Sequence, residues 1–516
     1  MRFTSVLVLA LSAVAACAVL AGATPLGTIT QFAAPGSNIA QVRAGSDGNL
    51  WFTDRAGAIG QITTDGVITR FTAGLNPGSQ PFSIAMGPDG NMWFTDAGTT
   101  SAIGMINPST HAISEFSAGL NVGSLPAGIA LGPDGNLWFT DRGSTGAVGT
   151  INPTTHVISE YSSGLSALSK PQQGITAGPD GKLWFTVQPT AAKAIGTIDP
   201  TTHAITEFSA GLNTGSLPGP AIAVGTDGNL WFVDNGTTQA IGTINPTTHA
   251  ISEFATGAGT SLGRLAVGPD GSIWFADKGA VPAIATMDPT THAVTRYSSG
   301  FAAGSGPSGI NTGSDGNVWF TDQGATFRGM GRAGTGAPSA SVTAPSVGGT
   351  GGVNVAQTCG GDTWSSWAGQ QPSRSAFDFD GYRWLLDGSP IAGATGTSYT
   401  PTADQAGHGL SCKVTATYGL VQVTVSATSS EVTVMGAAEQ LIELAAAVVG
   451  VGPGASLAHK VSAIQDDVAA NNTSDACEGL AAFGHEVRAQ SGKKLSTLQA
   501  TSLLSRASGV EAALGC

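Results

Sequence analysis

The chain has 516 residues, and 21 Lys and Arg face 34 Asp and Glu, a net charge of −13. Nothing in that balance neutralises phosphates, which excludes a nucleic-acid or anionic-membrane partner. Only 11% of residues are charged, while 41% are hydrophobic and 74 are glycine, which excludes a coiled coil or a disordered chain and predicts short strands joined by glycine turns.

In chain order, Met1-Arg2 and the apolar run from Val6 to Leu20 read as a secretory signal over 1–23, with Ala21-Gly22-Ala23 as its cleavage site. Val14-Ala15-Ala16-Cys17 also fits a lipoprotein cleavage box, so the expected protein is secreted, or anchored through Cys17. No later apolar run reaches the ~18 residues of a membrane span. A Trp-Phe pair then begins at Trp51, Trp93, Trp138, Trp184, Trp231, Trp274 and Trp319, at spacings of 42, 45, 46, 47, 43 and 45. Each pair follows an Asp-Gly (Asp47-Gly48 is the first), which predicts a type I′ hairpin turn with positive φ at both residues. Each unit reads as four short strands, for example Ser83–Met86, the Trp-Phe strand, Ala102–Ile106 and His111–Phe116. Seven such units predict a seven-bladed β-propeller over 24–332. The stretch 27–32 looks like a fourth strand without its first three, and the seventh unit lacks a fourth, so the N-terminal strand is expected to close the ring. The repeated Trp is expected to pack between blades.

Residues 333–345 have linker composition. Cys359, Trp384 and Cys412, spaced 25 and 28 apart, match an immunoglobulin-type β-sandwich over 346–434. With the Asp387-Gly388 segment, that module resembles the Ig-like repeats of bacterial surface proteins, and the resemblance implies a Cys359–Cys412 bridge. The end of the chain, 436–516, is expected to be a small helical domain, with Leu457, Val461, Ile464 and Val468 as one apolar stripe. Gly452-Pro453-Gly454 and Ser491-Gly492 break its helices. It resembles the FIMAH domain that ends bacterial exported proteins, and a Cys477–Cys516 pair would staple it.

The run Pro-Asp-Gly-Asn-Leu-Trp-Phe-Thr-Asp at 133–141, followed by Ile-Gly-x-Ile segments, resembles the streptogramin (virginiamycin B) lyases over 26–332. The resemblance implies opening of a cyclic depsipeptide antibiotic at its ester bond by elimination, with Mg²⁺ on the axis as Lewis acid and a histidine moving the proton. The family's histidine positions are here Ala40, Phe82, Ala127, Gln173, Pro220, Gly263 and Ser308, none a histidine. The family's acid position is Asp54, Asp96, Asp141, Val187, Asp234, Asp277 and Asp322. Asp234, Asp277 and Asp322 are the candidate metal ligands, and all six also read as strand-end Asx turns. His111, His156, His203, His249 and His292 recur in Pro-Ser/Thr-Thr-His turns at the outermost strand, too far apart to share a metal. Among small inner-strand residues stand Gln41, Arg43, Gln173, Thr176, Arg264 and Asn311 as binding candidates. Arg43 and Arg264 read either as a grip for a carboxylate or carbonyl, or as internal salt bridges with the aspartates. The expectation is an exported, monomeric protein that binds a small molecule or a cell-surface ligand. The alternative is a Mg-dependent lyase using another base.

Overall fold

The fold is that of a computed structural model, which describes residues 24–188, 193–257, 261–337, 343–363, 381–418, 423–452 and 454–516. The expected signal and Cys17, residues 338–342 of the linker and Pro453 lie outside the described residues.

Seven four-stranded antiparallel sheets follow one another, at 39–71, 81–116, 126–161, 170–208, 218–255, 262–297 and 307–333, and we number these blades 1 to 7. The Leu-Trp-Phe-Thr-Asp strands are wholly buried, whereas outer strands such as Ile113–Phe116 are only half-buried. The missing strand of blade 7 is Ile29–Ala33, antiparallel to Arg328–Ala333, with Ile29 opposite Ala333 and Ala33 opposite Gly329. The zip continues outward through Gly27 N–H to Gly334 O (2.8 Å) and Gly336 N–H to Thr24 O (3.1 Å).

All seven repeated tryptophans are fully buried. Trp138 of blade 3 packs with Leu183 and Phe185 of blade 4, so the ring wedges two sheets together. Its indole N–H donates to Asp134 Oδ1 (3.0 Å), four residues back. The turn between them differs from type I′. Only the glycine has positive φ (Gly135, 80°), and Gly132 N–H to Asn136 O (2.8 Å) with Gly135 N–H to Gly132 O (3.1 Å) closes a three-residue loop. The extra residue lets the Asp turn back onto the indole. It also brings Gly132 so close to Trp138 that an added Cβ would lie 2.4 Å from the ring, which explains why the position before Pro-Asp-Gly is small.

Threonines tie neighbouring inner strands around the axis. Thr53 accepts from Gln41 N (3.2 Å) and donates to Phe82 O (2.9 Å) in the next blade. At the periphery, His111, His156, His203, His249 and His292 take positive φ (57–60°) in the turn before the fourth strand. Each ring stacks on the blade before: His156 lies 4.1 Å from Phe116, and His203 4.0 Å from Tyr161. These histidines join blades and hold no metal together.

Beyond the propeller, a three-stranded sheet (Ser346–Gly348, Gln357–Gly360, Ser398–Tyr399) faces a sheet built on Tyr382–Leu386, Gly409–Tyr418 and Val423–Thr428. Trp384 is fully buried between them, and the Cys359–Cys412 disulfide joins the two sheets. Four helices follow: α1 (Ala437–Ala447), α2 (Ser456–Ala469), α3 (Thr473–Gln490) and α4 (Thr497–Leu514). Leu457, Val461 and Ile464 are buried in their shared core, and the Cys477–Cys516 disulfide ties α3 to the second residue beyond α4. Among the described residues no helix is long and apolar enough to cross a membrane.

Candidate functional site

The inner strands surround a cavity of about 210 Å³ on the propeller axis. Its lining includes every binding candidate read from the sequence: Gln41, Arg43, Gln173, Thr176, Arg264 and Asn311. No Asp or Glu is among the lining residues. The register places Arg43 opposite Trp51, Thr176 opposite Trp184 and Asn311 opposite Trp319, so these three share one level of the channel.

Arg264 is 6% exposed and spans the channel from blade 6. Its Nη1 donates to Pro220 O (2.7 Å) in blade 5, and its Nη2 to Gln173 Oε1 (3.1 Å) in blade 4. Across the axis, Gln41 Oε1 accepts from the Ser83 hydroxyl and from Ile84 N (3.3 Å). Arg43 differs. It makes no hydrogen bond or ion pair with another described residue, and its buried Nε has no partner. The buried Asn311 Oδ1 is likewise unpartnered. Salt bridges between these arginines and the aspartates do not form. Burial lowers the Arg43 pKa to about 10. Burial, then repulsion from Arg43 and Arg142, lowers that of Arg264 to about 9. Burial is the common cause, and for Arg264 the neighbouring cations add to it.

The seven positions of the family's histidines ring the end of the axis near the Trp-Phe-x-Asp strand ends. Ala40, Phe82 and Ala127 pack there as an apolar cluster. Phe82 is 7% exposed, and the guanidiniums of Arg55 and Arg142 lie 5.2 and 5.1 Å from its ring centre, in cation–π range.

The six aspartates are not brought together. Each turns one oxygen to its own blade's loops: Asp96 Oδ1 accepts from Gln80 N (2.6 Å) and Gly98 N (2.8 Å), and Asp322 Oδ1 from Gly306 N (2.7 Å) and Gly324 N (3.0 Å). The other oxygen faces the fourth strand, whose side chain there sequence reasoning passes over. In blades 1 and 6 that side chain is a cation, pairing Arg70 with Asp54 and Arg296 with Asp277. In blade 7 it is Gln31, whose Nε2 donates to Asp322 Oδ2 (2.7 Å). In blades 2, 3 and 5 it is a second acid: Glu115 beside Asp96, Glu160 beside Asp141, Glu253 beside Asp234. Burial foremost, with the neighbouring Asp adding to it, pushes each of these glutamates up to about 7. In blade 4 the aspartate is Val187, and Glu207 Oε1 is left buried without a partner. One signal was readable: in otherwise constant fourth strands (Ile-Thr-Arg-Phe, Ile-Ser-Glu-Phe, Ile-Thr-Gln-Phe) this residue alone changes charge. Among the described residues no group of three or more His, Cys, Asp or Glu is arranged to hold a metal ion.

The model of the virginiamycin B lyase family matches residues 14–211 and, in a second overlapping stretch, 122–344. The chain belongs to the virginiamycin B lyase family. Its fold is similar to the structure of a catalytically inactive histidine-to-alanine virginiamycin B lyase from Staphylococcus aureus with quinupristin, at 26% identity and a TM-score of 0.52, over 60% of this chain and 99% of that one. Fainter likenesses outside the lyases include an extracellular domain from B. thetaiotaomicron (14% identity, TM-score 0.48, 78% of this chain and 57% of that one). Another is YCF48 bound to D1 peptide (14%, TM-score 0.45, 60% and 96%). No curated protein matches the chain.

Proposed function

We propose that this chain is an exported ligand-binding or surface-interaction member of the virginiamycin B lyase family that has lost the lyase chemistry. One observation carries the reading: where the family has imidazoles, Ala40, Phe82 and Ala127 pack as an apolar plug and Arg264 is strapped to Gln173. Elimination without a positioned base forgoes roughly 10²–10⁴-fold in rate. The residues also do not fit an axial Mg²⁺, since the axial cavity holds two guanidiniums and no carboxylate. Asp234, Asp277 and Asp322 are each engaged within their own blade. Two disulfides agree with an oxidising, extracellular setting. In this reading 24–332 is the binding propeller, 346–434 an Ig-like sandwich and 436–516 a FIMAH-like helical domain, the last two serving placement at a surface.

The alternative, a lyase working with another base, draws on the 26% identity to the S. aureus enzyme. Incubation with quinupristin and Mg²⁺, followed by mass spectrometry, separates the two. The expected result is no linearised product, with or without chelator. Turnover that chelator abolishes would overturn the binding reading. An Asp234→Ala or Asp277→Ala variant would then locate the substitute base.

A further inference from the structure

We infer that the axial cavity is a binding site for a small dianion, a dicarboxylate or a phosphate compound, reached from the Asp-Gly-turn end of the ring. This rests on the reading of the propeller as a binding module and names the ligand class and the route.

The charge pattern comes first. Two arginines line the cavity and no acid does, while Arg142 and Lys278 add positive charge close by. Burying such charge is costly unless something negative shares the space. The six strand-end aspartates are not available, because each is held by its own blade's loop backbone. An oxyanion between Arg43 and Arg264 supplies what is missing, since guanidinium forks match carboxylate and phosphate oxygens.

The polar atoms agree. Arg43 spends none of its donors on another described residue, and its Nε is buried and bare. Arg264 uses Nη1 and Nη2 on Pro220 O and Gln173, which fixes it as a wall of the cavity. Thr176 shares Arg43's level and offers a hydroxyl. At about 210 Å³ the space falls below the roughly 300–1,000 Å³ of a drug-sized pocket, so the ligand has only a few carbons. Two cations lining one cavity favour two negative charges on it.

The route follows from the lining. It includes Gly178 and the exposed Pro179 beside the Asp180-Gly181 turn, and also Val224 and Val267 near the corresponding turns of blades 5 and 6. Of the seven family histidine positions it includes Gln173 and none of Ala40, Phe82, Ala127, Pro220, Gly263 and Ser308. The ligand therefore enters past the Asp-Gly turns of blades 4 to 6, away from six of the seven family histidine positions.

The test uses the full chain at low ionic strength, with succinate, inorganic phosphate and neutral succinamide as probes, followed by calorimetric titration and thermal melting. Succinate or phosphate is expected to bind and raise Tm, and succinamide to do neither. Whichever anion binds identifies the carboxylate or the phosphate class. Arg43→Gln and Arg264→Gln are each expected to weaken binding at least about tenfold, as loss of a charge-assisted pair does. Arg43 makes no internal hydrogen bond, so Arg43→Gln keeps the fold and carries the test should Arg264→Gln fail to fold. Ala177→Trp at the open end is expected to abolish binding, and Phe82→Ala at the far end to leave it unchanged. Absence of binding by both anions, equal binding of succinamide, or affinity unaffected by Arg43→Gln would overturn the site. Binding that survives Ala177→Trp and is lost in Phe82→Ala would overturn the route. No streptogramin enters these measurements, so a result here is read separately from antibiotic turnover.

Discussion

Trp138 and Asp134 show how much one repeated residue pair does. The indole is fully buried between blades 3 and 4, and the aspartate four residues earlier receives its N–H. Trp138→Ala is expected to cost about 3–5 kcal/mol in chemical denaturation, from lost burial plus the cavity left behind. Asp134→Ala removes only the acceptor and opens the turn, so its expected cost is smaller, about 1–3 kcal/mol. An equal loss in both variants would count against the packing account. The same scale shows why the histidines mislead. A Pro-Thr-Thr-His turn reads as a loop feature, yet its positive φ throws the ring back onto the preceding blade's aromatic residue. Which neighbour a turn residue meets depends on blade-to-blade geometry, which one blade's sequence does not contain.

The fourth strands set how the ring responds to pH. Glu115, Glu160 and Glu253 have their pKa raised to about 7 by burial beside Asp96, Asp141 and Asp234. The unfolded chain releases these protons near pH 4.5, so the folded state binds more protons between about pH 4.5 and 7. Their contribution to stability is complete below that window and is lost as pH rises through 7. Tm is therefore expected to fall between pH 5 and pH 8. Glu160→Gln is expected to flatten part of that fall, and Glu160→Arg to remove more of it by copying the Arg70–Asp54 arrangement of blade 1. A Tm that rises over this range would refute the assignment. The Trp-Phe period, the place of the turns and the closing strand were legible from the sequence, because each belongs to a local pattern repeated around the ring. The turn type was not, because the third loop residue shows only in the hydrogen bonding. The partners of the strand-end acids were not, because the second strand meets the fourth only after the third is folded between them. At the axis, Gln41, Arg43, Thr176 and Arg264 stood out as polar residues against Gly and Ala. Their levels and the absence of carboxylate partners required the bulged register of the inner strands.

At the scale of the molecule, the ring is held shut by Ile29–Ala33 against Arg328–Ala333, with Phe32 stacked on Trp319 at 5.6 Å. Removing 24–33 bares one edge of blade 7 and uncovers that ring. The expected loss is at least ~3 kcal/mol, together with self-association visible in size-exclusion chromatography, because an open edge pairs with other chains. A monomeric variant of unchanged Tm would show that closure by other contacts suffices. The two disulfides lie outside the ring, so reduction is expected to lower the melting of the C-terminal units while leaving the propeller transition in place.

The closing strand also dictates the order of assembly. During synthesis, Ile29–Ala33 emerges about 300 residues before the segment it must join. Joining ends that far apart on a loose polymer would cost on the order of 5 kcal/mol in chain entropy. Six stacked sheets remove most of that cost by carrying the two ends around to each other. The earliest-made strand is thus the last to dock, and until it docks its bare backbone has to be kept from other molecules.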